Sequence, residues 1–204
     1  MQLRFVPAVC AGLAMMAAGA VPADTVEITS LGSHEGEFCA MDRAMVFEDP
    51  DGTRILYDAG RTVRGAQDER LGRIDVVLLS HVHGDHLGDA ILPAANAGEC
   101  GKPDASVRVV PESNSVNIVV GKKARFIVGG EMPAFFQNKV AAAGGERSQV
   151  QLLRFGASTK VGGVSIASVP AAHSNGLSPI FMGSDYARML SELGLTAYVG
   201  PPGG

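Results

Sequence analysis

Apolar and polar residues alternate along much of the chain, and the alternation breaks at glycine, proline and aspartate. Val26 to Leu31 (VEITSL) repeats with period two, which predicts a half-buried strand. Ala44–Phe47 and Arg54–Tyr57 are apolar-rich runs on either side of EDPDGT, where Pro50 and Asp51-Gly52 make a turn, so the two runs predict a hairpin. Ile74 to Leu79 is almost continuously apolar and predicts a buried strand. Asp89 to Ala95 predicts a helix that Pro93 and Gly98 keep short. Cys100 to Asp104 reads as a loop, and Val107–Val110 and Val116–Val120 read as strands or buried apolar segments. Glu131 to Ala143 has helical spacing with Gly144-Gly145 as its stop, and Phe135 and Phe136 read as core. Val150–Phe155 and Gly163–Val169 predict further strands, Asp185–Leu193 a helix and Leu195–Val199 a last strand. No internal repeat or low-complexity segment interrupts the series.

Two charged stretches carry little chemistry. Arg61, Arg64, Arg70 and Arg73 stand against Asp68 and Glu69, which predicts a solvated loop or short helix. Lys122-Lys123-Ala124-Arg125 reads as solvated surface rather than a phosphate site, because no aromatic or glycine-loop pattern accompanies it.

The N-terminus follows different rules. Met1 to Arg4 holds one positive charge, and Phe5 to Val21 is apolar and built of small residues. Ala18-Gly19-Ala20 and Val21-Pro22-Ala23 both offer cleavage sites, which predicts a signal peptide over residues 1–23. A membrane anchor fits less well, because glycines break the run and a cleavage-like motif ends it. The expected location is the periplasm or the secreted fraction, with no stable membrane insertion after cleavage. The mature domain would then span 24–204. Removing Arg4 takes the formal charge from -4 to -5, an acidic balance that points away from nucleic acid as a partner. Export also leaves Cys39 and Cys100 as an even pair in an oxidising compartment. A disulfide between them would close a loop of roughly 60 residues and stabilise by about 4 kcal/mol.

The five histidines are unevenly placed: His81, His83 and His86 fall within six residues, together with Asp85. Imidazole and carboxylate are the ligands of zinc and similar ions, Gly84 permits a sharp turn between them, and the preceding strand would deliver them to one point. An ordinary polar turn would use Gly, Asn, Asp, Ser and Pro instead. His173, in Val169-Pro170-Ala171-Ala172-His173-Ser174, follows a second predicted strand in the same way. His34 reads as a loop residue, because it lies far in sequence from the others; a reach to the metal is the alternative.

Ser80 to Asp89, SHVHGDHLGD, resembles the His-x-His-x-Asp-His signature of the metallo-β-lactamase fold superfamily, and VPAAHS resembles its third metal motif. Together they are similar to the ascorbate-phosphate lactonase-like branch. The resemblance implies an α/β protein: an α+β sandwich of αββα layering, of which this chain would hold only the N-terminal half to two-thirds. It also implies a hydrolase that binds one or two divalent ions, Zn2+ above all. His81, His83 and His173 would hold a first ion with a fourth position open to water, and Asp85 and His86 would begin a second site. Asp85 would also serve catalysis, by helping to hold the second ion or by orienting the nucleophile. Asp58, at the end of the hairpin's second strand, resembles a residue that steadies the histidine loop by hydrogen bonds, and it also fits an ordinary turn cap.

Two later motifs of the superfamily are missing: a metal-bridging Asp and a final His. After His173 the only acids are Asp185 and Glu192. The chain would therefore have a competent first site and a weak second one. Half a sandwich would also expose an apolar sheet face. That leaves a chain continuing beyond Gly204, a degenerate product, or a homodimer that covers the face. The leading expectation is an exported metal-dependent hydrolase that activates water toward a small-molecule ester, lactone, phosphodiester or amide. The alternative is a non-catalytic metal-binding remnant or scaffold of the same fold.

Overall fold

The computed structural model describes residues 25–32, 44–94, 97, 100, 104–109, 112–130 and 132–171. In chain order the strands are β1 (Glu27–Ser30), β2 (Met45–Glu48), β3 (Arg54–Tyr57), β4 (Val76–Leu79), β5 (Ala90–Ile91), β6 (Val107–Arg108), β7 (Arg125–Val128), β8 (Val150–Leu152), β9 (Ser158–Val161) and β10 (Val164–Ala167). The α-helices are α1 (Gly84–Leu87), α2 (Asn114–Lys122) and α3 (Pro133–Ala142).

Six strands form one mixed sheet in the order β1-β2-β3-β4-β7-β8. β1, β2 and β3 pair antiparallel, and β3, β4, β7 and β8 pair parallel. Because side chains alternate across a strand, each central strand feeds two cores. Leu56, Val77, Phe126 and Val128 face α2 and α3, where they meet Val116, Ile118, Val119, Phe136 and Val140. Ile55, Val76 and Ile127 face the other way, onto Val161, Val164 and Ile166 of the β9–β10 hairpin. The result is helices on one face of the sheet and a hairpin on the other, the layering expected of the α+β sandwich. Among the described residues no helix is long and apolar enough to cross a membrane.

Four details differ from the sequence expectation. The helix expected over Asp89–Ala95 is absent. Gly88 (φ 80°) ends α1 in the left-handed region, and Ala90–Ile91 then pairs with β6. Val116–Val120 is helical, not extended. Ser113 caps the helix by accepting from the Val116 N–H at 3.2 Å, and burial against the sheet overrides the modest helix propensity of its β-branched residues. β9 was not expected, because STKV is polar. It pairs with β10 across Gly162-Gly163, with Val161 opposite Val164. Finally, Arg61 and Arg70 are not merely solvated. Arg70 reaches Asp68 and the carbonyls of Leu31 and Thr62, and Arg61 pairs with buried Asp89.

The β2–β3 hairpin, β4, α3 with its stop at Gly144, and buried Phe135 and Phe136 lie where the sequence predicts them. Cys100 is disulfide-bonded, and Cys39, its expected partner, lies outside the described residues. So do residues 1–24, His34, His173 and the elements expected over 185–199.

Candidate metal centre

β3 and β4 run parallel, so their C-terminal ends share one edge of the sheet, where sites in parallel sheets usually form. β3 leads into Asp58 and β4 into Ser80-His81. Asp58 sits at φ 52°, a left-handed conformation that Asp tolerates better than most residues, and its N–H donates to the Leu78 carbonyl at 2.8 Å. Its side chain is fully buried.

That carboxylate organises the loop. Oδ1 accepts from the Ser80 N–H and Oδ2 from the Ser80 hydroxyl, both at 2.8 Å, while His86 Nδ1 stands 2.6 Å from Oδ2. A carboxylate only accepts, so His86 donates from Nδ1 to Asp58, and in the neutral ring Nε2 is the basic nitrogen. Ser80 Oγ also lies 3.0 Å from His81 Nδ1. Since the hydroxyl proton goes to Asp58, the oxygen accepts from His81, and His81 Nε2 becomes that ring's basic atom. Burial, reinforced by the Asp58 charge and partly offset by a hydrogen bond with Ser80, pushes the Tyr57 phenol above its ordinary value of 10.0. It therefore stays a donor at neutral pH.

His81 Nε2 faces His83 Nδ1 at 3.1 Å, and the rings are edge-on with centroids 4.6 Å apart. At this distance either His83 Nδ1 donates a hydrogen bond to His81 Nε2 or the two nitrogens share a cation. Nitrogens bound to one tetrahedral zinc ion would be about 3.3 Å apart, given bonds of about 2.0–2.1 Å. The pair therefore fits one edge of a zinc-like site. Asp85 Oδ2 is 3.6 Å from His86 Nε2, so the residues expected to begin a second site are also adjacent. Among the described residues, no three His, Cys, Asp or Glu side chains complete a metal-holding group.

The loop's shape comes from α1. His83 is its extended N-cap residue, and the turn holds Asp85 and His86 on consecutive positions before Gly88 ends it. Ser80, His81, His86 and Tyr57 border a cavity of about 380 Å³ whose walls include Leu78, Ile127, Leu153, Phe155 and Ile166.

His81, His83, Asp85, His86 and Asp58 thus lie at one sheet edge. Sequence reasoning missed Ser80, Tyr57, Arg61 and Asp89. Ser80 and Asp89 lie inside the decapeptide that carries the resemblance, and Tyr57 adjoins Asp58. Arg61 gave no signal beyond charge.

A mixed sheet layered between helices and a hairpin, with a histidine turn at its parallel strand ends, defines an α+β sandwich. Residues 42–188 match the family model of the beta-lactamase superfamily domain, and the chain belongs to that family. Its members are generally hydrolases and typically bind divalent metals. No curated protein and no solved structure matches the chain.

Proposed function

We propose that this protein is an exported, metal-dependent hydrolase of small neutral substrates, with lactones and esters ahead of phosphodiesters and amides. The observation that carries the reading is the His81 Nε2–His83 Nδ1 approach, built on a hydrogen-bonded base of Asp58 and Ser80. His81 and His83, with His173 as the third nitrogen donor, would hold one ion, and Asp85 and His86 would contribute to a second. When bound, such an ion polarises the scissile bond and lowers the pKa of water toward ~7.

The chain's own residues do the rest. Asp58 keeps the Nδ1 proton on His86 and so keeps Nε2 facing outward as a base or ligand. Asp85, next along the same turn, orients the nucleophile. Tyr57 remains protonated on the cavity border and can donate to a substrate oxygen. Among the described residues the cavity walls are mostly apolar, and none of those that line it is Lys or Arg. That chemistry favours an uncharged, apolar substrate body over a polyanion. Export to an oxidising compartment is supported by the signal-like residues 1–23 and by the disulfide at Cys100.

The test is hydrolysis of p-nitrophenyl esters, γ-lactones and bis(p-nitrophenyl) phosphate, before and after chelation and zinc re-addition. Ester or lactone turnover should fall on chelation, return with zinc and vanish in His81→Ala. Activity indifferent to chelation would overturn the reading. Zinc binding without turnover on any substrate would make the protein a non-catalytic binder.

A further inference from the structure

One four-residue segment runs along the histidine turn and touches it at three points. Asp58 meets the His86 ring at 2.6 Å, the Gly60 N–H donates to the His86 carbonyl at 2.9 Å, and Arg61 Nε donates to Asp89 Oδ1 at 2.8 Å. The third contact closes the far end of the turn. Asp89 is fully buried, its N–H points back to the Gly84 carbonyl at 3.4 Å, and Arg108 Nη1 lies 3.9 Å from its second oxygen. The ion pair presses directly on the first residue of α1: a Cβ added at Gly84 would lie 2.6 Å from Asp89 Oδ1 and closer still to the Arg61 guanidinium. The backbone of Arg61 is fixed as well, since its carbonyl accepts from the Leu92 N–H at 3.0 Å.

A buried carboxylate is costly unless it is paired, and breaking such a pair is strongly destabilising. The Arg61–Asp89 pair therefore survives only if the turn lies where both groups reach it. We propose that Arg61 and Asp89 are positioning residues: their ion pair, packed against Gly84, sets the placement of the turn that carries Asp85 and His86. Its effect on metal binding rests on the metal-centre reading above. Its effect on the turn does not.

The experiment measures two quantities on the same protein. One is zinc affinity by competition titration. The other is amide hydrogen exchange of the zinc-free protein at Leu87 and Gly88, whose N–H groups bond to His83 and Gly84 within the turn. Asp89→Asn keeps the shape and removes the charge. It should weaken zinc binding about tenfold or more and speed exchange at Leu87 and Gly88, with β4 and β7 unchanged. Arg61→Gln should act in the same direction, and because Arg61 is partly exposed it supplies both readouts if Asp89→Asn fails to fold. Arg61→Lys should restore part of the affinity. Unchanged exchange at the turn, or an equal rise across the sheet, would overturn the proposal. So would faster exchange at the turn with unchanged zinc affinity, which would leave the pair a purely structural role. If the wild-type protein binds no zinc, the metal-centre reading fails, and exchange at Leu87 and Gly88 still decides whether the pair holds the turn.

Discussion

Asp58 and His86 meet at 2.6 Å, carboxylate oxygen to Nδ1, although they are 28 residues apart and on different elements. The contact links the end of β3 to the turn after β4, and it fixes which nitrogen of His86 is basic. Replacing Asp58 by Asn keeps the shape and removes the acceptor-only character. Ser80 and His86 would then compete for one carbonyl oxygen. The expected outcome is a 10–100-fold loss of zinc affinity and a stability loss of about 1–3 kcal/mol from unsatisfied buried groups. Titration calorimetry and thermal unfolding of the Asp58→Asn variant check both.

Gly88 and Gly52 form a paired test of how tightly the site is packed. Both sit in the left-handed region, at φ 80° and 79°. A Cβ on Gly52 would meet nothing within 4 Å, whereas on Gly88 it would lie 2.5 Å from the Gly60 carbonyl and against Asn114. Gly52→Ala should cost about 1–2 kcal/mol, the strain of the conformation alone. Gly88→Ala should cost clearly more, because the Gly60–His86 region must also move. Urea midpoints of the two variants, at equal slope, make the comparison.

Asp68 predicts a pH dependence. Burial alone would raise its pKa, but hydrogen bonds from the Arg70 guanidinium and the Arg64 and Arg70 N–H groups, with the Arg70 charge, outweigh burial and hold it below 3.8. A depressed folded-state pKa stabilises above the unfolded value and is lost as pH falls through the folded one. The Tm difference between wild type and Asp68→Asn should therefore be constant above about pH 5 and shrink progressively below 3.8. A difference that widened on acidification would contradict the assignment.

Phe136 anchors α3. It is fully buried, with its ring centroid 4.9 Å from Phe126 on the sheet and 5.1 Å from Phe135. Truncation to alanine should cost about 3–5 kcal/mol. The helical signal in circular dichroism should then be lost at a lower urea concentration.

The site was more legible than the frame around it. His81, His83 and His86 stand out because imidazoles are scarce and clustered, whereas Asp58 was legible through the family resemblance, since an acid at a strand end also fits an ordinary turn cap. Long-range pairing hid the rest. Arg61 looks like one of four arginines in a polar stretch, and only folding sets it on Asp89, 28 residues away. β-branched residues made α2 look extended, and its helical state follows from the Ser113 cap and burial on the sheet. The one-turn α1 is too short for helical periodicity to register, so the helix was expected one step later, at Asp89. β9 is polar because it lies at the surface. Its only sequence sign was the Gly162-Gly163 pair, which matches a tight hairpin turn.

The central claim is that the two histidine loops converge on an ion. Metal content per chain of the purified protein, measured beside His81→Ala, His83→Ala and His173→Ala, tests it most directly. The account predicts at least one zinc-like ion per wild-type chain and its loss in all three folded variants. A wild-type chain that takes up no divalent metal, or a His81→Ala chain that keeps it, would contradict the account.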